Sequence, residues 1–284
     1  MNIKTLLFAL FMAVAIFVNG DSALAADTPA SAPSSIQDLL VTPTRVVFEG
    51  SMQTTELALV NRSEKPHTYA LSFVQCRMSD AGEIKEIDAT DPPDPQDRFA
   101  DSLVRFSPRR VILEPRQVQV VRMMLRKPST LAEGEYRSHL SFRLIPSTEE
   151  AVKPDSVSRG IQIKLIPIYG VTIPVIVRQG SLKATTRLSD LRFDAKGLHF
   201  TIEREGSRSA YGDFVVQWKG KGKAVSVGAL NGVAVYTPNK KRSVFISLSP
   251  PKGIELRGGE LSVRYINTEN SSEQLIAEGK IAVP

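Results

Sequence analysis

The chain has 284 residues, of which 42% are hydrophobic and 23% charged, and 36 Lys and Arg against 30 Asp and Glu leave a net charge of +6. That length accommodates two domains of ordinary size. The single cysteine, Cys76, excludes an intramolecular disulfide.

The N-terminus reads MNIKTLLFALFMAVAIFVNGDSALAA. Lys4 precedes an apolar run from Leu6 to Val18, and Ala23-Leu24-Ala25 closes it with small residues, the pattern of a cleaved export signal over residues 1–25. The run is too short to span a bilayer, so the mature chain is expected to be exported and soluble, with no integral membrane segment. Residues 26–38, which include DTPASAPSS, read as a flexible leader.

From Leu39 the chain reads as short strands. LLVTPTRVVFEG puts Val46 and Phe48 on one face. TTELALVNRSEKPHTYALSFVQ predicts two strands about a polar turn at Asn61 to Pro66, with Leu57 and Leu59 inward in the first and Tyr69, Leu71 and Phe73 in the second. The three prolines of DATDPPDPQDR mark a loop. LVRFSPRRVILEPRQVQVVRMMLRK predicts two more strands, with turns at Ser107-Pro108 and Glu114-Pro115. GEYRSHLSFRLIP follows, with Tyr136, Leu140, Phe142 and Leu144 on one face. Cys76 falls in a strand-like run and reads as a buried, inert thiol.

Gly160 to Arg178, GIQIKLIPIYGVTIPVIVR, is the most informative stretch. Ile161, Ile163 and Leu165 alternate with Gln162 and Lys164, the mark of a strand with one apolar face. The run then becomes apolar on both sides, so Val171, Ile173, Val175 and Val177 are expected to serve the cores of both domains. A strand this long exceeds the usual range of about 3 to 10 residues. It follows a polar segment (Ser147 to Arg159), which suits a sheet edge, and an apolar edge strand is kept only where it pairs with something.

Beyond Gly180 more short strands follow, punctuated by Gly, Pro, Asn and Asp, with Gly220-Lys221-Gly222 as a hairpin turn. The expected architecture is all-β: two immunoglobulin-like β-sandwich domains, residues 39–178 and 179–284, in an L or boomerang arrangement joined by a long continuous strand.

With the elements placed, the chain resembles the PapD-like periplasmic chaperones of the chaperone–usher pathway, in the form of the alternative or archaic branches. The resemblance rests on PTRVVFEG (43–50), LALVNRSEKPHTY (57–69), FSPRRVILEPRQVQVVRM (106–123), EGEYRSHLSFRLIP (133–146) and YGVTIPVIVR (169–178). It implies a periplasmic, non-enzymatic protein that binds, folds and caps pilus or fimbrial subunits by donor-strand complementation and delivers them to an outer-membrane usher. The chaperone lends an edge strand, with main-chain hydrogen bonds for affinity and alternate apolar side chains for fit. Ile161, Ile163 and Leu165 are the implied donor residues.

The family's cleft arginine lies in a T-R-x-x-F context, here Thr44 to Phe48, which assigns Arg45 to the subunit's C-terminal carboxylate. A guanidinium suits that role because its planar fork pairs both oxygens. The second anchor is Tyr169 if the match is made on Pro174, or Lys164 if on I-K-L. The P-pilus branch also has an acid–arginine–acid network between its domains. Glu135 stands at the first acid, but the arginine position is Ile173 and the second acid falls near Thr268, so the network is expected to be incomplete, with apolar packing or Arg137 in its place.

No cofactor is implied. His67, His139 and His199 share no ligand spacing, and no nucleophile elbow, P-loop or H-E-x-x-H occurs. Basic residues are scattered rather than interleaved with aromatics, which speaks against nucleic-acid partners. The alternative function is an exported β-sandwich module binding a ligand or glycan without chaperone activity; it calls for exposed aromatic platforms, for which the single Trp218 makes a poor case. An apolar edge strand also allows a self-capped homodimer when no subunit is present.

Overall fold

The computed structural model describes residues 38–146, 170–269 and 273–284. Every regular element among them is a strand. The first eleven are β1 (Leu39–Thr42), β2 (Val46–Phe48), β3 (Thr54–Asn61), β4 (His67–Val74), β5 (Cys76–Met78), β6 (Ile84–Glu86), β7 (Val104–Ser107), β8 (Arg110–Leu113), β9 (Val118–Leu125), β10 (Gly134–Ile145) and β11 (Gly170–Gln179). They form a sandwich of two sheets, ordered β1-β3-β9-β7 and β2-β11-β10-β4-β8, with β5-β6 as a separate ribbon.

Alternation builds this core. Leu57 and Leu59 of β3 and Val121 and Met123 of β9 point inward and are buried, while Glu56 and Arg122 pair at 2.9 Å on the solvent face. Across the sandwich, Tyr69 and Leu71 of β4 and Leu140 and Phe142 of β10 complete the packing. Where two strands were expected between residues 103 and 127 there are three. The turn at Ser107-Pro108 ends β7 in one sheet and starts β8 in the other, so one apparent strand becomes two with different neighbours.

The second sandwich holds β12 (Ala184–Asp194), β13 (Gly197–Gly206), β14 (Ala210–Lys219), β15 (Val225–Val235), β16 (Lys241–Ile246), β17 (Glu260–Asn267) and β18 (Gln274–Ala282). Its sheets run β12-β13-β16 and β15-β14-β17-β18. Phe214 and Tyr265 stack at its centre, with ring centroids 4.3 Å apart. The two sandwiches, both immunoglobulin-like, meet through one turn: β11 closes at Gln179, Gly180 takes a φ of +87° open to glycine, and β12 opens at Ala184.

The two-sided character of β11 has a specific cause. Ile173, Val175 and Val177 all belong to the first core, with Val171 packed against it. They do not serve both domains, as the sequence suggested. Successive strand residues face opposite ways, and it is Ile176, on the reverse face, that enters the second core together with Val47 and Met78. The reverse face of β10 is polar yet equally enclosed: Glu135, Arg137 and His139 are buried by the second sandwich.

Candidate functional site: the cleft between the sandwiches

Register explains the cleft. β2 pairs with β11 in parallel, Val46↔Val175 through Phe48↔Val177. One step before this ladder Arg45 falls beside Pro174, and one step after it Glu49 falls beside Arg178. On the other side of β11, Arg178 is paired with Glu135 of β10. Glu49, Arg178 and Glu135 therefore form one lateral row across three strands, on the face turned to the second sandwich.

The side chains of this row bond accordingly. Arg178 donates from Nε to Glu135 at 2.9 Å and from Nη1 to Glu49 at 2.8 Å. Glu269, at the end of β17, closes the third side, accepting from Nη2 and Nη1 of Arg178 at 2.9 and 3.1 Å. Arg208, between β13 and β14, bridges Glu49 and Glu269 at 2.8 Å each. Glu135 is enclosed from the second sandwich by the Ser209 amide at 3.1 Å, the Ser209 hydroxyl and the Thr237 hydroxyl at 3.2 Å. A buried ion pair is tolerable only when its remaining donors and acceptors are matched, and here both carboxylate oxygens of Glu135 are.

The network expected to be incomplete is thus present, with different members. Its arginine is Arg178, not Ile173 or Arg137, and its second acid is Glu269, next to Thr268. Ile173 faces the first core and has no access to the cleft. Arg137 lies over the Tyr236 ring at 4.3 Å and donates to the Cys76 carbonyl at 3.1 Å. Burial, and then the Arg137 charge, hold His139 down at about 3, so it is neutral. Burial, followed by the charge of Glu86, pushes the Cys76 thiol up to about 11 against the pull of Arg137, which leaves it protonated and unreactive.

Arg45 occupies the mouth of the network, in a cleft of about 640 Å³ lined also by Thr44, Met52 and Thr268. Its guanidinium lies over the Tyr211 ring at 4.3 Å, and Nη1 donates to Glu269. Nε and Nη2 are buried and have no partner among the described residues. The guanidinium is therefore half-satisfied.

Burial works against the Glu269 charge, but the hydrogen bond from Arg178 and the charges of Arg45 and Arg178 outweigh it and pull the carboxyl from its ordinary 4.5 to about 2. A carboxyl depressed in the folded state contributes stability that is complete above its unfolded value and lost as pH falls through the folded one. Between about pH 5 and pH 2 the native protein is expected to lose on the order of 2 kcal/mol that Glu269→Gln lacks throughout, after allowing for solvent screening at the cleft mouth. Urea unfolding at stepped pH checks this, and parallel profiles for the two proteins would refute it.

A second feature adjoins Arg45. The Arg137 amide bonds to the Arg98 carbonyl at 2.8 Å, away from β11. Arg137 faces Ile176 in the antiparallel ladder, and opposed residues there either bond each other or both turn outward. Ile176, Pro174, Thr172 and Gly170 thus direct their main-chain groups away from β10. Ile176 meets β2, but from Gly170 to Pro174 this edge has no strand partner among the described residues. Pro174, lacking an N–H, is tolerated because its nitrogen faces that edge.

Ile161, Ile163, Lys164, Leu165 and Tyr169 lie outside the described residues. Trp218 is partly buried and donates its indole N–H to the Gly258 carbonyl at 2.9 Å, so it is not a free aromatic platform. Among the described residues no group of three or more His, Cys, Asp or Glu is placed to hold a metal ion.

No family model matches the chain, and no curated protein matches it. Solved structures do. The CupB2 chaperone of Pseudomonas aeruginosa is 15% identical, with 86% of this chain and 100% of that one covered and a TM-score of 0.42. The CsuC–CsuE chaperone–tip subunit pre-assembly complex from archaic Csu pili of Acinetobacter baumannii gives 12%, 86%, 97% and 0.46. The Salmonella enterica SafA pilin in complex with the SafB chaperone gives 15%, 86%, 96% and 0.39.

Proposed function

We propose that this chain is a non-enzymatic periplasmic chaperone that binds pilus or fimbrial subunits by adding one of their strands to the open edge of β11. The observation that carries this reading is the junction of that edge with Arg45. A strand laid along Gly170 to Pro174 in line with β2 runs parallel to β11 and ends at Arg45. Its last residue would bring a C-terminal carboxylate to a guanidinium with unpartnered donors. Main-chain bonds supply affinity, and the terminal charge sets register, because a slip of one residue turns every side chain to the wrong face.

Ile161, Ile163 and Leu165 supply the alternating apolar side chains in this reading, and Lys164 or Tyr169 the second carboxylate anchor. The export signal places the protein in the periplasm, and an outer-membrane usher receives the subunit. Without a subunit, the same edge pairs two chaperones into a self-capped dimer.

The test is Thr172→Pro. Thr172 is exposed, and its amide points outward, so proline removes a client bond and spares the β10 ladder. Co-expressed with candidate fibre subunits from neighbouring genes, the variant is expected to fold normally and to recover roughly tenfold less subunit than the native chain. Equal recovery by the native chain and the variant would remove strand addition at this edge.

A further inference from the structure

Arg45 is already occupied by a carboxylate. Glu269 accepts from its Nη1, although Glu269 is independently held by Arg178 at 2.9 and 3.1 Å and by Arg208 at 2.8 Å. Only 6% of the Glu269 side chain and 8% of the Arg45 side chain are exposed. The two donors left on Arg45, Nε and Nη2, are those of one side-on edge of the guanidinium, and both are sealed from solvent without a partner among the described residues. In this arrangement Arg45 presents no accessible pair of donors to an incoming carboxylate.

We propose that Glu269 is an internal stand-in for the client's terminal carboxylate, holding Arg45 shut in the client-free protein and giving it up when a strand docks. This inference rests on the reading of Arg45 as the carboxylate anchor. The exchange is nearly balanced because the two partners have unequal needs. Glu269 loses one donor and keeps two arginines, so its charge stays paired. Arg45 exchanges a single bond for a bidentate one and satisfies donors that are otherwise buried and unmade, which is where an unsatisfied group costs most. A terminal amide cannot drive the exchange, because it brings no charge to replace the one withdrawn. Glu269 therefore acts as a selectivity residue: it excludes strands that run past the cleft or end without a charge, and admits those ending in a carboxylate at Arg45.

Because Glu269 also joins the two sandwiches through Arg178, the stand-in links anchoring to the interdomain network. Arg178 remains held by Glu135 and Glu49 when Glu269 shifts, so the link loosens without breaking.

The test uses the mature chain and a ten-residue peptide of alternating threonine and valine, prepared with a free C-terminal carboxylate and again as the C-terminal amide. Calorimetry gives the affinities, and carbon-13 NMR of glutamate carboxyl groups follows Glu269. The native chain is expected to prefer the free acid. Glu269→Gln should bind the free acid about tenfold more tightly, the worth of one charge-assisted bond no longer displaced, and the amide no better than before. In the native chain the free acid, and not the amide, should move the Glu269 signal, a readout that serves even if the variant does not fold. A folded Glu269→Gln with no gain for the free acid, or a Glu269 signal that the free acid leaves in place, overturns the inference while the anchor stands. A native chain that binds acid and amide equally, or neither, overturns the anchor itself.

Discussion

Replacing Arg178 by leucine is expected to destabilise the protein by about 3–5 kcal/mol, because the change strands the buried Glu135 carboxylate without its counter-ion. Arg178 is 1% exposed at its side chain, and its partner Glu135 is fully enclosed. The neighbouring guanidinium groups are engaged elsewhere: Arg137, on the same face of β10, is held over Tyr236, Arg208 bonds Glu49 and Glu269, and Arg204 donates to the carbonyls of Asn239, Gly206 and Arg208. For a protein of this size the loss corresponds to a fall of roughly 10 °C in the melting midpoint. Arg122→Ala is the control. Its pair with Glu56 has the same 2.9 Å length, but the side chains are 82% and 57% exposed, so it should cost less than about 1 kcal/mol. Equal losses for Arg178→Leu and Arg122→Ala would show that the network does not hold the sandwiches together.

Arg45→Ala is expected to act on function and leave the fold intact. Glu269 keeps Arg178 and Arg208, and the arginine removed had two of its donors unmet, so the stability change should stay within about 1 kcal/mol. Recovery of subunit should fall about 30-fold or more, the cost of truncating one member of a buried charge pair. Arg45→Lys distinguishes charge from geometry. It keeps the charge and loses the planar fork, and is expected to fall between the native chain and the alanine variant. A lysine variant equal to the native chain would show that a point charge suffices at this position.

The sequence and the structure agree where apolar alternation is regular. Leu57 with Leu59, Tyr69 with Leu71, and Leu140 with Phe142 all face the core assigned to them. Alternation fails as a guide in β10 and β11, because a second sandwich covers the reverse faces. Glu135, Arg137 and His139 alternate with the inward-facing side chains of β10 and yet are buried as well, and Ile176 rather than Val175 or Val177 reaches across the boundary. The membership of the cleft depended on register. Glu49, Glu135 and Arg178 are far apart in the chain and become one row only once β2, β10 and β11 are aligned. A local match pointed to Ile173, five residues short of the arginine that performs the role. Arg45 was legible because its local context, T-R-x-x-F, already contains the strand that places it.

The most direct test of strand addition beside Arg45 is amide hydrogen exchange at β11 in the protein alone and in its complex with a proposed client subunit. Gly170 and Thr172 should become strongly protected in the complex, while Val171 and Ile173, whose amides already face β10, stay unchanged. A stable complex in which Gly170 and Thr172 exchange as fast as in the free protein would contradict strand addition at this edge.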